Sequence, residues 1–182
     1  MTHPTAPAVH PPLRKVAENL YALRLPLPFA LNHVNCYLLR DKDGGEGWTV
    51  VDAGLNRAEV QAAWQAAWAE LHIKPQQIKR IVLTHMHPDH FGLAGWLQDQ
   101  SGAPVLLSPR EAEVARLTWI EDIDAARAEV VRRYLHSAGA TPEVAAVITA
   151  QQDHLRSLTY PHPRRIDTLA PGATIEMGGR RF

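Results

Sequence analysis

The chain has 182 residues, 46% of them hydrophobic, with 19 lysines and arginines balanced by 19 aspartates and glutamates. That length supports one sizeable core and hardly two independent domains. A formal charge of zero gives no general reason to expect nucleic acid or an anionic membrane as partner, and a single cysteine, Cys36, excludes an intrachain disulfide.

Residues 1–15, MTHPTAPAVHPPLRK, are rich in proline and small residues and lack the apolar core of a secretory signal. They read as a flexible leader in which His3 and His10 are solvent-exposed. One domain follows, over 16–182. No apolar run approaches the ~20 residues that cross a bilayer, so a cytoplasmic location is the default. From Val16 to Leu27 apolar residues alternate with polar ones as in a strand ending at Pro26. NHVNCYLLR and WTVVDAG are two further β-rich runs, and the spacer DKDGGEG suits a hairpin between them. WTVV is apolar on both faces, as a central strand is. Cys36 reads as a small buried thiol, with no motif around it for catalysis or redox.

Asn56 is placed to cap a helix over RAEVQAAWQAAWAEL. There Val60, Ala63, Trp64, Ala67, Trp68 and Leu71 repeat at three and four, and both tryptophans read as core anchors. IKRIVLT is a short β-branched strand, FGLAGWLQDQ a helix stopped at Ser101-Gly102, and APVLLS a buried strand. Strand, helix and strand with short connections predict an α/β layered fold. Residues 109–158 turn helical, and Gly139 and Pro142 divide them into at least two helices. In position they are an insertion between core strands, of the kind that shapes substrate access. Near the end ATIEM and a segment beginning at RRF read as strands.

Residues 84–90, THMHPDH, hold three imidazoles and a carboxylate within seven positions. Like-charged imidazoles gain nothing from crowding, whereas a shared cation explains it. Extended backbone gives His85 and His87 a common direction. Pro88 suits an abrupt turn, and Asp89 and His90 fall at the start of the next helix. Such nitrogen and oxygen donors suit zinc, and also iron or manganese. The plainer alternatives are a histidine-rich surface loop, or a helix start at which Asp89 merely accepts backbone hydrogen bonds.

HMHPDH resembles the HxHxDH signature of the metallo-β-lactamase-fold hydrolases. NHVNCYLL and VVDAG resemble that family's opening strands, Gly92 and Gly95 its small residues after the signature, and LAPGATIEMGGRRF the strand pair preceding its next ligand histidine. The resemblance implies an αββα sandwich of which these residues supply only the first part, truncated at the C-terminus, with the helical insertion 109–158 inside it. It makes His85 and His87 ligands of one metal and Asp89 and His90 ligands of a second. Asp52 supports the site through hydrogen bonds, its plainer alternative being a turn residue in DAG. The expected cofactor is Zn2+, two ions per complete protein, with iron or manganese as alternatives. Metal-activated water would attack a small ester, thioester or lactone, oriented by Asp89 as the catalytic carboxylate.

The family's further ligands have no counterpart here. No Gly-His pair occurs, and they would lie beyond Phe182. His154 and His162 read as ordinary surface histidines, and His33 as a strand-end hydrogen-bonding residue. A sheet lacking its second half would expose an apolar face and self-associate through it. The expected function is a zinc-dependent hydrolase of a small-molecule substrate. A mononuclear iron sulfur dioxygenase on the same fold and a non-catalytic truncated fragment are the alternatives.

Overall fold

Among the described residues, seven strands form one sheet in the order in which the chain lays them down. The computed structural model describes residues 12–28, 30–41, 47–122 and 125–182. The strands are β1 (Leu13–Ala17), β2 (Leu20–Pro26), β3 (His33–Arg40), β4 (Trp48–Val51), β5 (Ile78–Val82), β6 (Val105–Leu107) and β7 (Ile166–Thr168). Neighbours from β1 to β4 pair antiparallel, and from β4 to β7 parallel. The change of direction follows from the connections. In sequence the joins from β1 to β4 are short, as antiparallel neighbours allow, whereas each join after β4 carries helix, which a parallel crossover requires.

The run expected as one strand from Val16 to Leu27 is two. Glu18 and Asn19 form a turn between β1 and β2, and Asn19 takes the left-handed conformation at φ 58°, which asparagine tolerates better than most residues. Leu13 pairs with Leu23 and Ala17 with Leu20. Leu13–Lys15, expected in the leader, therefore belong to the edge strand, and residues 1–11 lie outside the described residues. The pairing of β3 with β4 bears out the expected hairpin, although residues 42–46 of its spacer are also outside the described residues.

Helix α1 (Ala58–Glu70) buries Val60, Trp64, Ala67 and Trp68. They lie in one core with Leu38, Val50, Ile81 and Val105, one from each of β3 to β6 and each fully enclosed. Asn56 does not cap this helix. The cap position is Arg57, with no side-chain cap bond. The Asn56 side chain accepts from Gln61 Nε2 at 2.8 Å and donates to the Tyr160 carbonyl, and its N–H donates to Leu158 O at 3.0 Å. Returning chain from the far end of the insertion has taken the residue that local spacing assigns to the helix.

The other sheet face is less complete. The residues alternating with that enclosed row, Tyr37, Val51, Val82 and Leu106, pair across β3–β6 and are only half-buried. Thr49, two residues before Val51, is enclosed, and Leu39 nearby meets the turn of a small hairpin, β8 (Glu176–Met177) and β9 (Arg180–Arg181). Arg80 ties that hairpin down by donating to Glu176 O at 2.7 Å. The apolar face expected to be open is thus a half-exposed row at one end of the sheet.

The helix expected to run from Phe91 is broken into α2 (Pro88–Phe91) and α3 (Ala94–Ser101), the latter closed by Gly102 at φ 74°. Leu93 N–H donates to Gly54 O at 2.8 Å, outside either helix, which separates the two pieces. The insertion, between the adjacent parallel strands β6 and β7, contains α4 (Pro109–Ala115), a π-helical turn (Arg116–Ile120), α5 (Ala125–Ser137) and α6 (Pro142–Ser157). Among the described residues, no helix is long and apolar enough to cross a membrane.

Candidate metal centre

The histidine cluster sits at the carboxyl ends of β4, β5 and β6, where open α/β sheets place their ligands. Strand β5 ends at Val82, so His85 and His87 do not lie on extended strand as expected; they occupy the loop between β5 and α2. Leu83 N–H still donates to Leu106 O at 2.9 Å, which starts that loop against the sheet. Pro88 opens α2, where its missing N–H costs nothing. Asp89 and His90 fall in the first turn, as expected.

Asp52 organises this end of the sheet. It is 4% exposed and takes φ 61°, an uncommon conformation outside glycine. Its N–H donates to Val82 O, while its carboxylate accepts the Thr84 N–H at 2.8 Å and the Thr84 hydroxyl at 3.0 Å. The other carboxylate oxygen meets His90 Nδ1 at 2.9 Å. A carboxylate on Nδ1 fixes the ring and leaves Nε2 as the outward donor, the arrangement that orients metal-binding histidines. Thr84 Oγ1 lies 2.9 Å from His85 Nδ1 and orients that ring in the same way.

The donor atoms come in two pairs. His85 Nε2 and His87 Nδ1 are 3.0 Å apart, and His90 Nε2 and Asp89 Oδ2 are 3.3 Å apart. Two donors at 2.0–2.1 Å on one tetrahedral zinc are roughly 3.3 Å from each other, so both spacings fit a shared cation. The three rings are packed together, with His85 centred 4.6 Å from His87 and 4.1 Å from His90. Among the described residues, no three His, Cys, Asp or Glu side chains form a complete ligand group. The donor chemistry fits a divalent ion, two donors at a time.

Charge at the site follows from these contacts. Burial opposes a proton on His90, but its hydrogen bonds to Asp52 and Asp89 outweigh that and push its pKa up to about 9. The bond from His90 also holds Asp89 below the usual carboxylate range. Burial, and then the neighbouring His90 and His87, lower His85. Cys36, fully enclosed on β3, is raised well above an ordinary thiol by burial and then by Asp52 and Asp89. That agrees with the buried-thiol reading, since a nucleophilic cysteine needs its thiolate.

His154 is exposed on α6. His33 lies at the start of β3 with Nδ1 2.6 Å from Asn32 Oδ1, the strand-end role expected of it. His162 is half-buried, not an ordinary surface residue, and lies 3.3 Å from the Thr159 hydroxyl.

Gly92 and Gly95 have a steric reason to be glycine. A Cβ on Gly92 would lie 2.5 Å from Pro88 O and 2.7 Å from Leu158 O, and one on Gly95 would lie 1.9 Å from Pro161 O. The returning segment Leu158–His162 runs directly over the helix that follows the motif. Sequence reading missed Thr84, Glu111 and Trp119. Thr84 adjoins the motif, but Glu111 and Trp119, which bond the main chain of Met86, carry no local signal.

Residues 30–181 match the metallo-beta-lactamase superfamily, and the chain belongs to that family. A metallo-beta-lactamase family protein from Thermus thermophilus is 30% identical with a TM-score of 0.74 over 92% of this chain and 51% of its own. A beta-lactamase domain protein from Burkholderia ambifaria is 28% identical with a TM-score of 0.70, over 96% of this chain and 50% of its own. The probable metallo-hydrolase YqjP of Bacillus subtilis (strain 168) is 39% identical over 83 residues, 46% of this chain and 25% of its own length. The chain therefore spans about half the length of these solved structures, and the YqjP match covers a quarter of that protein. The mixed sheet with its helices is the metallo-β-lactamase fold.

Proposed function

We propose that the chain carries metal-binding residues of a metal-dependent hydrolase acting on a small ester, thioester or lactone. His85 and His87 ligate one divalent ion, and Asp89 and His90 a second, with zinc the expected metal. The two donor pairs at ligand spacing, each backed by a hydrogen-bonded partner, carry this reading. Similarity to the probable metallo-hydrolase YqjP supports hydrolysis as the reaction class.

A bound divalent ion supplies Lewis acidity and brings the pKa of a coordinated water down toward ~7. The protein supplies orientation. Asp52 holds His90 through Nδ1 so that Nε2 faces outward, and Thr84 does the same for His85. Asp89, beside His90, is the carboxylate placed to orient the attacking water and to assist its proton transfer. His87, the most exposed of the cluster, borders the approach for substrate.

Zinc titration of the purified chain by calorimetry, with elemental analysis, tests the assignment. The expected outcome is zinc binding that His87→Ala weakens by orders of magnitude and His154→Ala leaves unchanged. Metal content and affinity unchanged in His87→Ala would sink the ligand assignment. Stoichiometric iron at one per chain would move the chemistry to oxygenation.

A further inference from the structure

Main-chain polar groups in a partly buried loop need partners. Met86, between two of the motif imidazoles, finds both of its own in the helical insertion. Its N–H donates to Glu111 Oε2 at 2.7 Å, and its carbonyl accepts the Trp119 indole N–H, also at 2.7 Å. The sheet cannot supply these bonds, because β5 has ended at Val82. The first is charge-assisted, which makes it stronger than a bond between neutral groups.

Both partners are themselves held. Glu111 lies in the first turn of α4, where its N–H is capped by Ser108 Oγ at 3.2 Å. Trp119 is 5% exposed and lies in the π-helical turn Arg116–Ile120. In an uninterrupted α-helix two residues eight apart are offset by about 80° around the axis. The wider π turn reduces that offset, which lets both side chains reach the two peptide groups that flank Met86. The far end of the insertion is anchored too. Leu158 O and Pro161 O lie over Gly92 and Gly95, and Arg156 donates to the Glu121 carbonyl, joining the insertion's far end to the close of the π-helical turn.

We propose that Glu111 and Trp119 are positioning residues of the metal centre. They hold the Met86 backbone at its N–H and its carbonyl, and thereby set how His85 and His87 face a shared ion. The inference rests on the reading of those two histidines as ligands. Rotation about the backbone flanking Met86 would swing both imidazoles, so one restrained residue governs a whole donor pair. The insertion is on this account part of the site's framework as well as a wall beside it.

The test uses the full 182-residue chain and three variants. Trp119→Phe keeps a buried ring and removes the N–H. Glu111→Ala removes the acceptor, and Glu111→Gln retains one. Amide hydrogen exchange over residues 84–91 is measured without metal, and zinc affinity by competition with a chromophoric chelator. Trp119→Phe and Glu111→Ala should speed exchange in that segment roughly tenfold, as loss of one such bond implies. They should weaken zinc binding roughly 10- to 100-fold, the range for losing support behind a ligand. Glu111→Gln, which keeps an acceptor but loses its charge, should fall between the parent and Glu111→Ala in both readouts, and exchange in α1 should not change.

Parental exchange and zinc affinity in Trp119→Phe would overturn the proposal, as would Glu111→Gln behaving like Glu111→Ala. If Glu111→Ala loses protection in α1 it has unfolded, and Trp119→Phe decides. Failure of the parent chain to bind zinc would instead overturn the ligand reading, and the metal-free exchange data would still decide whether Met86 is held.

Discussion

The motif loop and the α5–α6 hairpin both leave the sheet, yet their side chains are used in opposite ways. Around residues 83–93 polar groups are tied in from several directions: Asp52 binds Thr84 and His90, Glu111 and Trp119 bind Met86, and Gly54 binds Leu93. In the hairpin no residue of α6 is fully buried, and Val130, Tyr134, Val144 and Val147 are exposed. The contrast shows where precision is needed. On the proposed reading, donor atoms must hold their spacing to a fraction of an ångström to share an ion, whereas the hairpin needs only the shape its own helices give it.

The largest effect should come from the loop. His87→Ala should lower zinc affinity by orders of magnitude while leaving the melting temperature nearly unchanged, because its exposed ring contributes little packing. A melting temperature that collapses with the affinity would make His87 a structural residue instead. Asp52→Asn comes next. It keeps the shape but loses the charge behind His90, and should weaken zinc binding roughly 10- to 100-fold by calorimetry. Gly95→Ala tests the crossing of the returning segment. Its methyl would meet the Pro161 backbone, so chemical denaturation should show a loss of about 3 kcal/mol, at the upper end for overpacking.

The hairpin should be forgiving. Val147→Ser, at a site 57% exposed, should change stability by less than ~0.5 kcal/mol. A larger loss would mean that the hairpin is packed against something, which would erase the contrast.

The smallest expected effect concerns pH. Burial, and then the nearby Arg156, hold the His162 pKa below its ordinary value of 6.5. The unfolded chain therefore binds this proton more readily than the folded one. Stability from this group is complete above 6.5 and is lost as pH falls through that value toward the lower folded pKa. His162→Gln should remove that part of the acid sensitivity in melts recorded across this range. An unchanged profile would show that His162 stays accessible to water and protons in the folded chain.

Some of the architecture is written locally and some is not. The contiguous HMHPDH run, its leading strand and the periodic tryptophans of α1 are read from neighbours in sequence, since side-chain periodicity and turn chemistry act over a few residues. Asn56 shows the limit. By spacing it is a helix cap, but the carbonyls of Leu158 and Tyr160 take its two donors and Gln61 takes its side-chain oxygen. The helix expected from Phe91 breaks for a related reason, a bond from Leu93 to Gly54 that no local pattern announces.

By itself, the sequence determined the run of imidazole and carboxylate side chains, their order, the strand that precedes them and the family to which the chain belongs. Those rest on short-range chemistry. Only the tertiary structure decided which groups stand behind those side chains. Asp52 lies 38 residues before His90, and Glu111 25 residues after Met86. Such partners meet because parallel strands bring their carboxyl ends to one edge of the sheet. A hydrogen bond across that distance depends on the fold's geometry and leaves no periodic trace in the chain.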